Sequence, residues 1–173
     1  MNTKNVIAIL PKYHTWAYGV LFRVMDQVKE KDYFADQGLY FKSLHGTLNH
    51  LYMGDSVWYC RFANEPYPFK SVNDITFDDY ATGKEMILKR CDQWIAFIEK
   101  LPNTLPKTII TKNFRGENRE TPYVPTLMHV FNHATHHRGQ ISTVLTQLGL
   151  PAPEMDLLYY LVENNLDRHT NAM

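Results

Sequence analysis

The segment His129-Val130-Phe131-Asn132-His133-Ala134-Thr135-His136-His137-Arg138-Gly139-Gln140 holds four of the chain's eight histidines. On a helix, residues four apart lie one turn above each other, so His133 and His137 can aim two imidazole nitrogens at one point. Two nitrogens placed that way are half of a metal site. The segment lacks the glutamate of an HExxH helix, so its spacing does not support a metalloprotease.

His137 also stands out by the face it occupies. Leu127, Val130, Ala134, His137, Ile141, Leu145 and Leu148 follow steps of three and four residues, which puts an imidazole in an apolar slot with His133 on its flank. Burying an unpartnered imidazole costs on the order of 1–3 kcal/mol, so hydrogen bonds or a metal must satisfy these rings. One histidine in such a slot is more often a hydrogen-bonded core residue than a ligand. A pair at i and i+4 on a core-facing stripe makes metal binding an equal reading.

A third ligand has to come from another helix, and His50 is the best candidate. It lies in Ser43-Leu44-His45-Gly46-Thr47-Leu48-Asn49-His50-Leu51-Tyr52-Met53-Gly54-Asp55, where Gly46 and Gly54 leave the helix face bare to either side of it. Glycine costs about 1 kcal/mol relative to alanine inside a helix, so two of them need a steric reason, such as the close approach of a helix or a ligand. His45 is about 140° around the helix and reads as a first-turn polar residue. His129 reads as a hydrogen-bonded structural residue, with a fourth ligand or an outer partner as alternatives. His136 points elsewhere, toward backbone, solvent or a subunit contact. Arg138 and Gln140 both read as groups that orient the site or neighbouring loops, with a surface salt bridge the stronger reading for Arg138. Asp55, Tyr52 and Tyr123 are conceivable pocket residues, each equally readable as structural.

The elements that must position these groups read as an all-α bundle of four main helices. The first covers about 3–28, with Pro11 kinking it or marking a restart. The second begins at Ser43, a plausible N-cap, and ends at Asn64-Glu65-Pro66-Tyr67-Pro68. Thr76 followed by Asp79 resembles a capping box opening the third, which runs through Tyr80, Met86, Trp94 and Leu101 to Pro102. Thr108-Ile109-Ile110-Thr111 and the turn-like cluster 113–118 predict a short hairpin or ordered loop between the third and fourth helices. The fourth starts at Thr121-Pro122 or Val124-Pro125 and ends at Gly149. Asp156 is a candidate cap for a short additional C-terminal helix, 157–165, before a polar tail containing His169.

At 173 residues and 45% hydrophobic content the chain reads as one domain, 1–173, with enough apolar mass for a filled core. Lys plus Arg (18) equal Asp plus Glu (18), which removes the basic excess that sequence-independent binding to nucleic acid or anionic membrane requires. The early apolar run Val6-Ile7-Ala8-Ile9-Leu10 is too short for a signal peptide or a membrane span. Cys60 and Cys91 have no ligand spacing and suggest a reducing, cytoplasmic setting.

Ser43 through Leu51, followed by Asp55 and Trp58, and then His129 through Gln140, resemble the two signature helices of the DinB family, the DinB/YfiT-like bundle proteins, not the DNA polymerase that shares the letters. The likeness extends over most of the chain, including the Tyr13–Trp16 region and the Asn113–Gly116 loop. It implies a four-helix bundle with an extra short helix, commonly a homodimer, and a divalent metal held by three histidines that match His50, His133 and His137. Three neutral imidazoles leave at least one position for water or substrate, as in a catalytic rather than a closed structural zinc site. An ion there could ionise a water, or a substrate thiol could bind as thiolate. The expectation is therefore a metal-dependent enzyme, a thiol S-transferase or a hydrolase; some relatives use low-molecular-weight thiols. Nitrogen-only ligation admits zinc or nickel first, and iron, cobalt or copper. The alternative is a non-catalytic, metal-stabilised dimeric bundle, and the family's name alone suggests a link to stress or DNA damage.

Overall fold

The computed structural model describes residues 3–166, so the tail containing His169 lies outside the described residues. The first predicted helix is two: α1 (Thr3–Ile7) and α2 (Ile9–Met25), broken at Ala8. Pro11 falls in the first turn of α2, where a missing backbone donor costs nothing, so it marks a restart. A single turn that the sequence did not announce, α3 (Glu30–Phe34), follows and buries Tyr33. Ser43 caps α4 (Leu44–Ala63) as expected, accepting from the Gly46 N–H at 3.0 Å.

The proposed capping box is overturned. Asp79 itself is the N-cap of α5 (Tyr80–Lys100), accepting from the Thr82 N–H at 2.8 Å. Thr76 lies before the helix, where its N–H and hydroxyl both donate to Asn49 Oδ1. The hairpin forms from β1 (Thr108–Lys112) and β2 (Asn118–Pro122), antiparallel with Ile110 opposite Glu120. Its turn is held by Asn113 Oδ1, which accepts from the N–H groups of Arg115 and Glu117. The helix α6 (Tyr123–Gln147) starts at the first of its two predicted positions, with Pro122 as N-cap, and Gly149 follows it at φ 78°. The short α7 (Leu157–Glu163) forms after Asp156, whose side chain makes no capping bond.

The four long helices close a ring in which α2 packs on α5, α5 on α4, α4 on α6 and α6 on α2. The contacts Trp58–His129 and Phe62–Tyr123 make α4 and α6 antiparallel. Phe22 meets Tyr80 while Thr15 bonds Cys91, so α2 and α5 are antiparallel as well. Tyr59 meets Trp94 and Phe62 meets Phe97, so α4 and α5 run the same way. That direction has a consequence for the site: the 64–79 connection must travel back along α4, about 30 Å for its 20 residues, and so passes His50 near the helix start. Asn49, 1% exposed, fastens the end of that connection, bonding the N–H groups of Thr76 and Phe77 and the Phe77 carbonyl.

The apolar interior is in two main parts. One gathers Tyr18, Leu21, Leu48, Leu51, Ala134 and Ile141; the other gathers Ile7, Trp94, Leu127, Val130 and Phe131. His14 on α2 falls between Ile7 and Tyr18, and Asp55 on α4 between Leu51 and Trp58, so buried polar groups lie where the two parts meet.

Candidate metal centre

The antiparallel packing of α4 on α6 brings the three predicted ligands together. His133 Nε2 lies 3.2 Å from His50 Nε2 and 3.1 Å from His137 Nε2. A ligand nitrogen of each ring lies within 4.8 Å of the others. Nitrogens about 2.0–2.1 Å from a common ion in tetrahedral geometry would be about 3.3 Å apart, so the spacing fits a metal with little movement.

The outer nitrogens decide what the inner ones offer. His137 Nδ1 faces the Gln140 side-chain carbonyl at 2.7 Å, and His50 Nδ1 faces the Val72 main-chain carbonyl at 3.3 Å. Both carbonyls only accept, so each ring carries its proton on Nδ1 and turns an Nε2 lone pair inward. These are the outer partners that fix tautomer and orientation in histidine metal sites. Gln140 thus orients the site, as its position suggested; the Val72 carbonyl could not be read from any side chain.

Burial keeps the rings neutral, the form a ligand needs. It pushes His133 down to about 3, reinforced by His137 and His50, and His50 down to about 4, with the Val72 bond opposing and His137 adding to the fall. Burial also lowers His137, against the Gln140 bond.

The two glycines beside His50 have different causes. A Cβ at Gly46 would collide with the Phe41 carbonyl, so this glycine admits a backbone, not a ligand. That approach seats the Phe41 ring flat on His50, with centroids 3.8 Å apart and planes 17° from parallel. A Cβ at Gly54 would lie 3.5 Å from His133 Cε1, so the second glycine faces the partner ligand.

A sequence profile of the DinB family matches residues 1–168. The chain belongs to the DinB family. Protein DinB of Bacillus subtilis (strain 168) is 25% identical over 158 residues, covering 88% of this chain and 91% of that protein. No solved structure matches.

Other histidines of this DinB-family chain take lesser parts. His129 is exposed, 5.4 Å from the Trp58 ring, and His136 is exposed, 3.4 Å from the Gln140 amide nitrogen. His45 sits in the first turn of α4, with Nδ1 3.3 Å from the Tyr33 hydroxyl. Tyr52 packs on Phe77, and Tyr123 on Phe62.

Arg138 is a correction: it is 1% exposed and, among the described residues, forms no salt bridge. Its guanidinium donates to His14 Nδ1 at 3.1 Å and to the Thr135 hydroxyl at 2.9 Å, with Tyr18 beneath it at 5.1 Å. An arginine only donates, so His14 Nδ1 accepts and its proton sits on Nε2, 3.3 Å from Asp55. Burial lowers the His14 pKa, in keeping with a neutral ring. Asp55 also accepts from the Trp94 indole N–H. His14 escaped the sequence reading, although it too occupies a slot of an apolar helix stripe.

A cavity of about 820 Å³ lies on the opposite flank of α6, where Tyr13, Met128, Asn132, Thr135 and Met155 are among its lining. None of the three clustered histidines lines it.

Proposed function

We propose that this chain is a metal-dependent enzyme acting at His50, His133 and His137, with a low-molecular-weight thiol as substrate and S-transfer as the reaction. The observation that carries this reading is the convergence of nitrogens: two Nε2 lone pairs, fixed by Gln140 and Val72, face a third Nε2 at 3.1 and 3.2 Å. One proton on His133 can serve only one of them at a time, whereas a cation satisfies all three. A divalent ion held by neutral imidazoles keeps its full charge, which favours binding an anion such as thiolate or hydroxide. Zinc or nickel is the proposed ion, with iron, cobalt or copper also compatible with nitrogen ligands.

A thiol brings its own nucleophile and needs only to lose a proton to bind as thiolate. Water activation for hydrolysis is the alternative chemistry at the same three residues. Because the ligands join α4 to α6 across 83 residues of sequence, a non-catalytic role in bracing the bundle is the second reading. We place the protein in the cytoplasm as a homodimer, a state supported by the exposed Leu158 and Val162 of α7 and tested by light scattering.

Tag-free protein, stripped and reloaded with zinc or nickel, is assayed with a panel of thiols and an alkylating electrophile. The proposal expects turnover that His137→Ala abolishes together with bound metal. A metal-loaded protein that melts higher but turns over no thiol and no ester would favour the bracing role.

A further inference from the structure

Each long helix contributes to one buried polar relay: Arg138 on α6 donates to His14 on α2, His14 donates to Asp55 on α4, and Asp55 accepts from Trp94 on α5. Its members are 6% exposed or less. Two of them sit beside the ligands in sequence, since Arg138 follows His137 directly and Asp55 lies five residues after His50, yet they are buried where the ligands face the α4–α6 groove. We propose that Arg138, His14 and Asp55 are positioning residues for the metal centre, holding α4 and α6 at the register in which His50 meets His133 and His137. This inference rests on the metal reading above.

The physical reason is directionality. Packed apolar faces tolerate small slips, because one methyl contact replaces another at little cost. A slip of α4 against α6 by one residue is about 1.5 Å, several times the roughly 0.2 Å tolerance of a metal–nitrogen bond. The relay does not tolerate it. Every link has a fixed donor and acceptor, and a slip would strand a guanidinium and a carboxylate in a dry interior. The side chain of a helical residue leans toward the helix N-terminus, so Arg138 reaches back to the level of His14 and Phe131, linking the ligand-bearing stretch of α6 to the other three helices.

The polarity of the relay supplies the variants. His14→Leu keeps the bulk and removes both bonds. Asp55→Asn keeps the shape but can turn an amide N–H toward the His14 N–H, which opposes donor to donor. His14→Gln keeps one acceptor and one donor on a single side chain. Zinc affinity is measured against a chromophoric chelator, and the d–d spectrum is recorded with cobalt. The proposal expects His14→Leu and Asp55→Asn, still helical by circular dichroism, to bind zinc about 10- to 100-fold more weakly with an altered cobalt spectrum, and His14→Gln to recover most of the loss. Should His14→Leu fail to fold, the shape-conserving Asp55→Asn is read in its place. Folded variants that melt lower but keep wild-type zinc affinity and spectrum would make the relay merely structural and overturn the proposal. Wild-type protein that binds no metal would instead overturn the metal reading.

Discussion

Acid should destabilise the metal-free protein through the histidines themselves. Well above pH 6.5 the three imidazoles are uncharged both in the folded protein and in the unfolded chain, and add nothing to the pH dependence. In the unfolded chain they titrate near the ordinary value of about 6.5, whereas burial holds folded His50 at about 4 and His133 at about 3. As pH falls below the unfolded value, the unfolded chain takes up protons that the folded protein refuses, so stability drops until the folded values are passed. One histidine wholly inside that window contributes a slope of about 1.4 kcal/mol per pH unit, and two contribute about 2.7. Both rings are only partly buried, and solvent screening reduces this to roughly half, or about 1.4 kcal/mol per unit for the pair. The assay is urea unfolding in chelator at intervals between about pH 6.5 and 4.5, the window set by these shifts. Carboxylates also titrate there, so the comparison is with His133→Gln, which cannot. The variant should show a slope shallower by roughly 0.7 kcal/mol per pH unit. Equal slopes in the two proteins would refute the reasoning.

Gln140→Leu removes the acceptor of the His137 Nδ1–H and should weaken zinc binding about 10- to 100-fold, measured by chelator competition, while metal-free stability shifts by about 1 kcal/mol or less. Gly46→Ala drives a methyl into the Phe41 carbonyl and must displace the ring stacked on His50, so urea unfolding should show a loss of about 1–3 kcal/mol and zinc affinity should fall with it.

Much of the bundle was legible in the sequence because helical periodicity is local. Ser43, Pro122 and Gly149 mark helix ends by their own conformational preferences, and the structure uses all three. What periodicity lacks is direction and partner. Nothing in the pattern of α4 and α5 says that they run parallel, and only that arrangement carries the 64–79 connection back to present Val72 to His50. The single turn α3 is too short to show a period, and it is held by Tyr33 packing against His45 and Tyr80.

The site divides in the same way. His133 and His137 follow from a four-residue spacing, and His50 from its setting between glycines, although one of those glycines answers to the Phe41 backbone. Arg138 was read by its charge as a surface residue, but His14, Thr135 and the Tyr18 ring make its burial tolerable. Those partners lie 124 residues away for His14 and three for Thr135, so the nearer could have been suspected and the farther could not.

The central claim is that one ion sits among His50, His133 and His137. Anomalous scattering from crystals of tag-free, metal-loaded protein tests it directly. The account predicts one peak per chain, about 2.0–2.1 Å from each of the three Nε2 atoms if the ion is zinc, and its loss in His137→Ala. Stoichiometric metal retained in that variant, or a peak away from His50 Nε2, would contradict it.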